Sequence, residues 1–434
     1  MSIPADVAQA ALLAAAPQQT GRVSRVLGLH VEVEGIDAAV GDTALLHAGD
    51  NCVDLEVVAV SGASLTCMPY GNLDGARYGA PVETTGQPLG IAVGPGLLGR
   101  VLGGLGQPID DGPQLEEVAR TPMTASPPHP LRRRPITEQL ALGVRVIDTL
   151  VPCGKGQRLG IFAGSGVGKS SLLSMIVRGT KADVTVLALV GERGREVSEM
   201  IRNDLGPEGL ARCVVVVATS DEPAAVRVRA AFVATRIAEW FRDRGNDVLL
   251  LMDSLTRLAM AQREIGLSAG EPPATRGYPP SVFGLLPKLL ERAGSSEVGS
   301  ITGLYTILVE GDDMNEPIAD TTRAILDGHI VLSRRLATSG HYPSIEVLES
   351  VSRLERAITN PEQRANVQQM RSLLATYRDA KDIIEIGAYT AGNDPNVDRA
   401  IALKQFMDAF CRQDIAEVAE ATESWDYLEK LVRS

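Results

Sequence analysis

The chain has 434 residues, 44% of them hydrophobic and 22% charged, an ordinary globular composition long enough for two or three domains around a buried core. A formal net charge of −12 disfavours tight, non-specific binding to nucleic acid or to an anionic membrane. No apolar stretch approaches the roughly 20 residues that a membrane-spanning helix needs, so any membrane association is expected to be peripheral.

Residues 7–16 form an apolar, alanine-rich run, but Asp6 precedes it where a signal peptide carries Lys or Arg. Residues 21–83 are Gly-rich and hold short alternating runs, with Leu29, Val31 and Val33 on one side and His30, Glu32 and Glu34 on the other. This predicts a small β-barrel or sandwich. Pro108, Pro113, Pro122, Pro127, Pro128 and Pro130 then leave little room for helix and lead into Arg132, Arg133 and Arg134. No aromatics interleave these arginines, so they read as the solvated face of a covering linker and not as a nucleic-acid patch.

Past Gly156, apolar runs alternate with helical patterns, as in a parallel α/β sheet. Strands are expected at 158–163, 184–190, 214–219, 248–252 and 304–309. Val226, Ala230, Val233, Ile237 and Trp240 mark the buried stripe of a helix between the third and fourth. After Arg353 strand signals stop, and Ala400, Leu403, Met407 and Phe410 again trace a helical face, predicting a C-terminal helical domain. Cys52, Cys67, Cys153, Cys213 and Cys411 lack metal-site or redox-motif spacing and, being five, cannot all pair within the chain. They read as reduced thiols in a cytoplasm.

The segment Ala163-Gly164-Ser165-Gly166-Val167-Gly168-Lys169-Ser170 follows an expected strand and precedes an expected helix opening at Ser171. That is the context of a phosphate-binding loop. Its glycines let backbone amides turn toward phosphate oxygens, Lys169 reaches the β and γ phosphates, and Ser170 coordinates Mg²⁺. The sequence thus points to Mg·ATP binding and hydrolysis, although the strict pattern begins with Gly where this chain has Ala163.

Asp253 closes the run 248–252 and so emerges at the carboxyl end of a strand, suited to magnesium beyond its direct ligands or, alternatively, to capping a helix. Glu192, in Gly191-Glu192-Arg193-Gly194-Arg195-Glu196, can polarise an attacking water or pair with its neighbouring arginines. Spacing alone leaves both open. By itself Arg353 reads as a helix-terminal ion pair and Tyr342 as a core aromatic.

Taken in order, these segments together with 154–162, 191–197, 310–320 and 326–334 resemble the rotary hexameric ATPases related to the catalytic subunit of ATP synthase. Within that group the chain looks like the type III secretion ATPases and their flagellar relatives, over roughly 21–413. The resemblance implies an N-terminal helical segment (1–20), a β-barrel (21–90), a RecA-like P-loop ATPase domain (91–353) and a C-terminal helical domain (354–434). It implies a homohexamer around a central coiled-coil stalk, with Glu192 activating water, Arg353 acting as an arginine finger in the neighbouring subunit's site and Tyr342 stacking on the base. It further implies a stator-like regulator bound at the N-terminus, for which 7–16 is the candidate, an export gate and chaperone–effector complexes as partners, and a cytoplasmic position at the face of the inner membrane.

Glu346 stands where the family signature Pro-x-x-Asp has Asp, which raises a question about that loop. Met314 and Ser198-Glu199-Met200 look more like the virulence or symbiosis branch than the flagellar one. A hexameric RNA translocase needs a basic channel and stacking aromatics, against which stand the acidic balance and 4% aromatic content. A non-catalytic ring subunit typically lacks the carboxylate that Glu192 supplies.

Overall fold

Residues 20–309, 311 and 313–434 are described by the computed structural model. The run 7–16, and Glu310 and Asp312 of the quoted 310–320 stretch, lie outside the described residues.

Six strands close into a barrel: β1 (Thr20–Leu27), β2 (His30–Glu34), β3 (Asp42–Ala48), β4 (Asn51–Ser61), β5 (Ser64–Pro69) and β6 (Pro81–Pro88), in the order β1-β2-β5-β4-β3-β6. The alternation in the sequence sets this interior: Val31 and Val33 join Val23, Leu46, Leu55, Val57 and Val82 inside. One expectation fails at the start of β2. Leu29 sits in the tight turn and His30 is buried, because the strand begins at the boundary with the next domain. There Arg229 Nε donates to Glu56 Oε2 at 2.7 Å, and Tyr70 donates to the same carboxylate, fastening barrel to core.

A two-stranded ribbon, β7 (Gly90–Val93) with β9 (Ala119–Pro122), follows the barrel. The central sheet has nine strands: β8 (Val101–Gly103), β10 (Arg158–Ala163), β11 (Val184–Glu192), β12 (Cys213–Thr219), β13 (Asp247–Asp253), β14 (Gly294–Ser295), β15 (Ser300–Leu308), β16 (Gly328–Leu332) and β17 (Val351–Ser352). Their order is β17-β16-β10-β15-β13-β11-β12-β8, with β14 beside β15; the seven from β16 to β8 run parallel and the two short strands antiparallel. Runs such as Val-Leu-Leu-Leu-Met in β13 are buried throughout, as a sheet covered on both faces requires.

Helix α1 (Lys169–Gly179) packs on one face, and α2 (Ala224–Arg242) with α3 (Leu255–Ser268) on the other. Val226, Ala230, Val233 and Ile237 of the expected stripe are buried, whereas Trp240, its last member, is only partly buried. The C-terminal helices α4 (Pro361–Glu385), α5 (Pro395–Cys411) and α6 (Ala421–Arg433) extend the core on the α1 side through Met370, Phe410, Trp425 and Leu428. A capping box at Asn360 and Gln363 starts α4. Among the described residues no helix is long and apolar enough to cross a membrane.

The arginine triplet is only in part the solvated face expected: Arg132 and Arg134 are exposed and Arg133 is partly buried. Only Arg132 keeps a loose, exposed pairing, with Glu297, whereas Arg133 donates to the carbonyls of Ala293 (2.8 Å) and Glu291 (2.5 Å) and Arg134 to that of Ser296 (3.1 Å). These two therefore pin the linker to the β14 turn, which supplies backbone acceptors that composition does not show.

Behind the sheet, Arg292 makes a two-pronged pair with Glu239, both bonds 2.7 Å and both residues buried. Removing one partner leaves an uncompensated buried charge, which costs about 3–5 kcal/mol. Glu239→Ala is expected to lose that much in chemical denaturation, and a loss below about 1 kcal/mol would contradict the assigned burial.

Candidate active site

The site forms where adjacent parallel strands end. Strand β10 stops at Ala163, and the chain turns through Gly166 (φ 75°) and Gly168 (φ 91°), left-handed conformations that glycine adopts without strain. Helix α1 then opens with no side-chain cap, so its first amides face the loop's concavity and are free to meet an anion. Ala163 fits in place of the first Gly because it is still a ladder residue, paired with Leu308 and Leu332 and accepting from Val309 N at 3.0 Å. A methyl group is tolerated there.

Gly164, Ser165, Gly166, Gly168, Lys169, Ser170 and Ser171 line an open cleft of about 930 Å³, together with Glu192 and Tyr342. Val167 is the exception: its side chain is buried beneath the loop. Tyr342, expected from spacing alone to be core, is 46% exposed and lies along the cleft, its ring against Gly168, where an added Cβ would meet it at 3.2 Å.

The Lys169 ammonium sits between two carboxylates. It pairs directly with Asp253 Oδ1 and lies 3.7 Å from Glu192 Oε1. Thr306 Oγ1 donates to Asp253 Oδ1 at 2.6 Å, fixing that carboxylate at the end of β13. Asp253 is not a helix cap: the next residue, Ser254, accepts from Arg257 N at 3.3 Å and caps α3.

Glu192 ends β11 and is buried, and its Oε1 has no hydrogen-bond partner among the described residues. Burial, and then the negative charge of Asp253, push its carboxyl up to about 7, with Lys169 opposing them. The adjacent arginines turn away, Arg193 toward Glu196 and Arg195 toward Glu199. The reading of Glu192 as an arginine-paired acid is thereby set aside. A buried carboxylate with a free oxygen beside an anion cradle can orient a water molecule and take up its proton.

Among the described residues no group of three or more His, Cys, Asp or Glu side chains could hold a metal by itself. The Ser170 hydroxyl and the Asp253 carboxylate nevertheless fit magnesium, an oxygen-seeking ion that usually shares few protein ligands with substrate phosphates and water.

Arg353 does not line this cleft. It follows β17 at the surface, its amide bonded to Asp327 O at 3.0 Å and its guanidinium to Arg323 O at 3.1 Å. At the signature position, Glu346 pairs with Arg335 at 3.3 Å while its amide donates to Val331 O at 2.8 Å. The extra methylene is taken up by an ion pair within the chain.

Sequence reasoning missed Thr306 and Arg334. Thr306 is one hydroxyl among several in a largely apolar strand, a faint signal, and Arg334, whose Nη1 donates to Ser165 O at 3.1 Å, comes from 169 residues along the chain. Arg257, Arg263, Arg276 and Tyr278, also on the cleft, carried no motif.

The family model "ATP synthase alpha/beta family, nucleotide-binding domain" matches residues 143–352, and "T3SS EscN ATPase C-terminal domain" matches 359–430. The chain is 50% identical over 407 residues to the flagellum-specific ATP synthase of Bacillus subtilis, covering 93% of each chain. It is 48% identical over 393 residues to the type 3 secretion system ATPase of Xanthomonas euvesicatoria, covering 89% of each. The solved structure of the assembled ATPase EscN, from the type III secretion system of enteropathogenic E. coli, superposes with a TM-score of 0.90 at 43% identity, over 95% of this chain and 100% of that one. EscN in complex with its central stalk EscO superposes with a TM-score of 0.88. With a nucleotide-binding α/β core, a preceding barrel, following helices and relatives that match along nearly the whole length, this chain belongs to the ATP-hydrolysing family of type III secretion ATPases and flagellum-specific ATP synthases.

Proposed function

We propose that this enzyme is the ATPase of a type III protein secretion apparatus, hydrolysing Mg·ATP to release secreted proteins from their chaperones and to support their unfolding and export. The observation that carries its chemistry is the Lys169 ammonium held between Asp253 and Glu192 at the mouth of the phosphate loop. In this reading Gly164, Ser165, Gly166, Val167, Gly168, Ser170 and Ser171 contribute the loop and helix start that bind phosphate, and Tyr342 supports the base. Lys169 exchanges Asp253 for the β and γ phosphates. Glu192, its Oε1 otherwise unpartnered, orients the attacking water and receives its proton. Magnesium, held by Ser170 and steadied by Asp253, offsets phosphate charge when bound.

Arg353 is the finger in trans: it is exposed, absent from its own cleft, and available to a neighbouring copy in a ring of six. The likeness to EscN bound to its central stalk EscO supports a stalk in the ring's pore. A stator-like regulator, an export gate, chaperone–effector complexes and a cytoplasmic position at the inner membrane face complete the proposal on family resemblance. The second reading is a flagellar export ATPase, favoured by the 48–50% identity to flagellum-specific ATP synthases of Bacillus subtilis, Treponema pallidum and Salmonella typhimurium. Affinity purification from native cells separates the two. Effector or translocator chaperones support the first, and rod, hook or filament chaperones replace it with the second.

Glu192→Gln is expected to retain ATP binding while turnover falls about 10²–10⁴-fold, the usual contribution of a positioned base; near-normal turnover reassigns the base. Arg353→Ala is expected to lose about 10³–10⁵ in rate. Wild-type specific activity should climb with protein concentration as rings form, and a flat dependence together with an active Arg353→Ala enzyme excludes a finger in trans.

The Glu192 carboxyl also makes stability depend on pH. Because its folded value, about 7, lies above the ordinary 4.5, the folded state prefers the protonated form, a contribution present below 4.5 and lost as pH rises through 7. In denaturation of the nucleotide-free protein, Glu192→Gln should therefore gain on wild type between pH 5 and 8, and parallel curves would refute the burial argument.

A further inference from the structure

Two carbonyls of the phosphate loop are held from outside by one later segment of the chain. Arg334 Nη1 donates to Ser165 O at 3.1 Å, and Ser344 Oγ donates to Val167 O at 2.5 Å. Within a planar trans peptide the C=O and N–H point in opposite directions. Capturing the Ser165 carbonyl therefore aims the Gly166 amide the other way, and capturing the Val167 carbonyl does the same for Gly168. Gly166 and Gly168 are the loop residues with left-handed φ, and both line the cleft, while Val167 is buried behind them. Glycine peptides rotate easily, so an unrestrained loop would spread over orientations in which carbonyls, not amides, face the phosphates.

We infer that Ser344 and Arg334 are positioning residues that preset the anion cradle by fixing these two peptide planes. The inference rests on reading 163–170 as the phosphate site. Ser344 is the stronger arm, because it is buried and its bond to Val167 O is shielded from water, whereas Arg334 is exposed. The segment bearing both is itself anchored. Ser333 N bonds Ser344 O at 2.8 Å, Ile345 bridges to Leu332 of β16, and Gln413 N, from the C-terminal domain, bonds Tyr342 O at 3.0 Å. Gln413 also spans to the loop before the helix at Arg145–Leu150, donating from Nε2 to Gly143 O and accepting at Oε1 from Arg145 N, both at 2.8 Å.

The test compares Ser344→Ala, Ser344→Thr, Arg334→Met and Lys169→Ala in the full chain, measuring binding of Mg·ADP and Mg·ATP by calorimetry alongside steady-state hydrolysis. Amides that hold the phosphates equally before and during reaction affect KM more than kcat. Ser344→Ala is expected to weaken both nucleotides about tenfold, raise KM in proportion and leave kcat within about twofold, with Ser344→Thr restoring affinity. Arg334→Met, a change at an exposed side chain, should weaken binding about threefold and keeps the test open should Ser344→Ala fail to fold. Unchanged affinity in Ser344→Ala, or in Arg334→Met if only that variant folds, overturns the inference, as does a fall in kcat at unchanged KM. If Lys169→Ala binds both nucleotides like wild type, the phosphate-site reading itself fails.

Discussion

The position of one ammonium group organises this molecule. Lys169 begins the helix after β10, and its counter-charges come from the ends of β11 and β13, Glu192 and Asp253. Three charges brought so close in a half-buried setting must be balanced, since an isolated buried carboxylate is costly. One cation between two anions cannot satisfy both. Asp253 takes the direct contact and a hydroxyl from Thr306, while Glu192 is left with an unpartnered oxygen and a raised pKa. In the proposed mechanism, the carboxylate with unmet bonding capacity is the one that acts on water.

The strand order makes this possible. β10, β15, β13 and β11 are consecutive neighbours, so the loop, Thr306, Asp253 and Glu192 converge although 53 to 84 residues separate the bonded pairs among them. The outer parts of the fold bear on the same point. The segment behind the loop is tied to the C-terminal helices through Gln413, and Arg371 of α4 binds the carbonyls of Val347 and Leu150 at 3.0 and 2.9 Å. The helical domain is thus joined to the segment that contacts the phosphate loop by the backbone hydrogen bond from Gln413 N to Tyr342 O and by side chain–backbone bonds.

Features set by neighbours in sequence were legible. Largely apolar runs located the five expected strands, because strands buried on both faces leave few polar positions, and the loop–lysine pattern located the cleft. β10 keeps its expected bounds, β11, β12 and β13 reach one or two residues further, β11 to include Glu192, and β15 starts four residues earlier at Ser300 and ends at Leu308, one short of expectation. Features set by distant contacts were not legible. Nothing near Arg133 announces acceptors at Glu291 and Ala293, and nothing near Ser344 announces Val167 O. The choice between a helix-capping and a site-lining Asp253 was likewise made by its neighbour, Ser254, assuming the cap.

The central claim is that the Lys169–Asp253 pair is the resting arrangement of a phosphate site and that nucleotide dissolves it. The most direct measurement is an experimental structure of the protein loaded with magnesium and a non-hydrolysable ATP analogue. The account predicts Lys169 Nζ on the β and γ phosphate oxygens, Asp253 turned to the metal's shell, and Glu192 facing the γ-phosphate. Nucleotide seated elsewhere, or in this cleft with the Lys169–Asp253 contact intact, would contradict it.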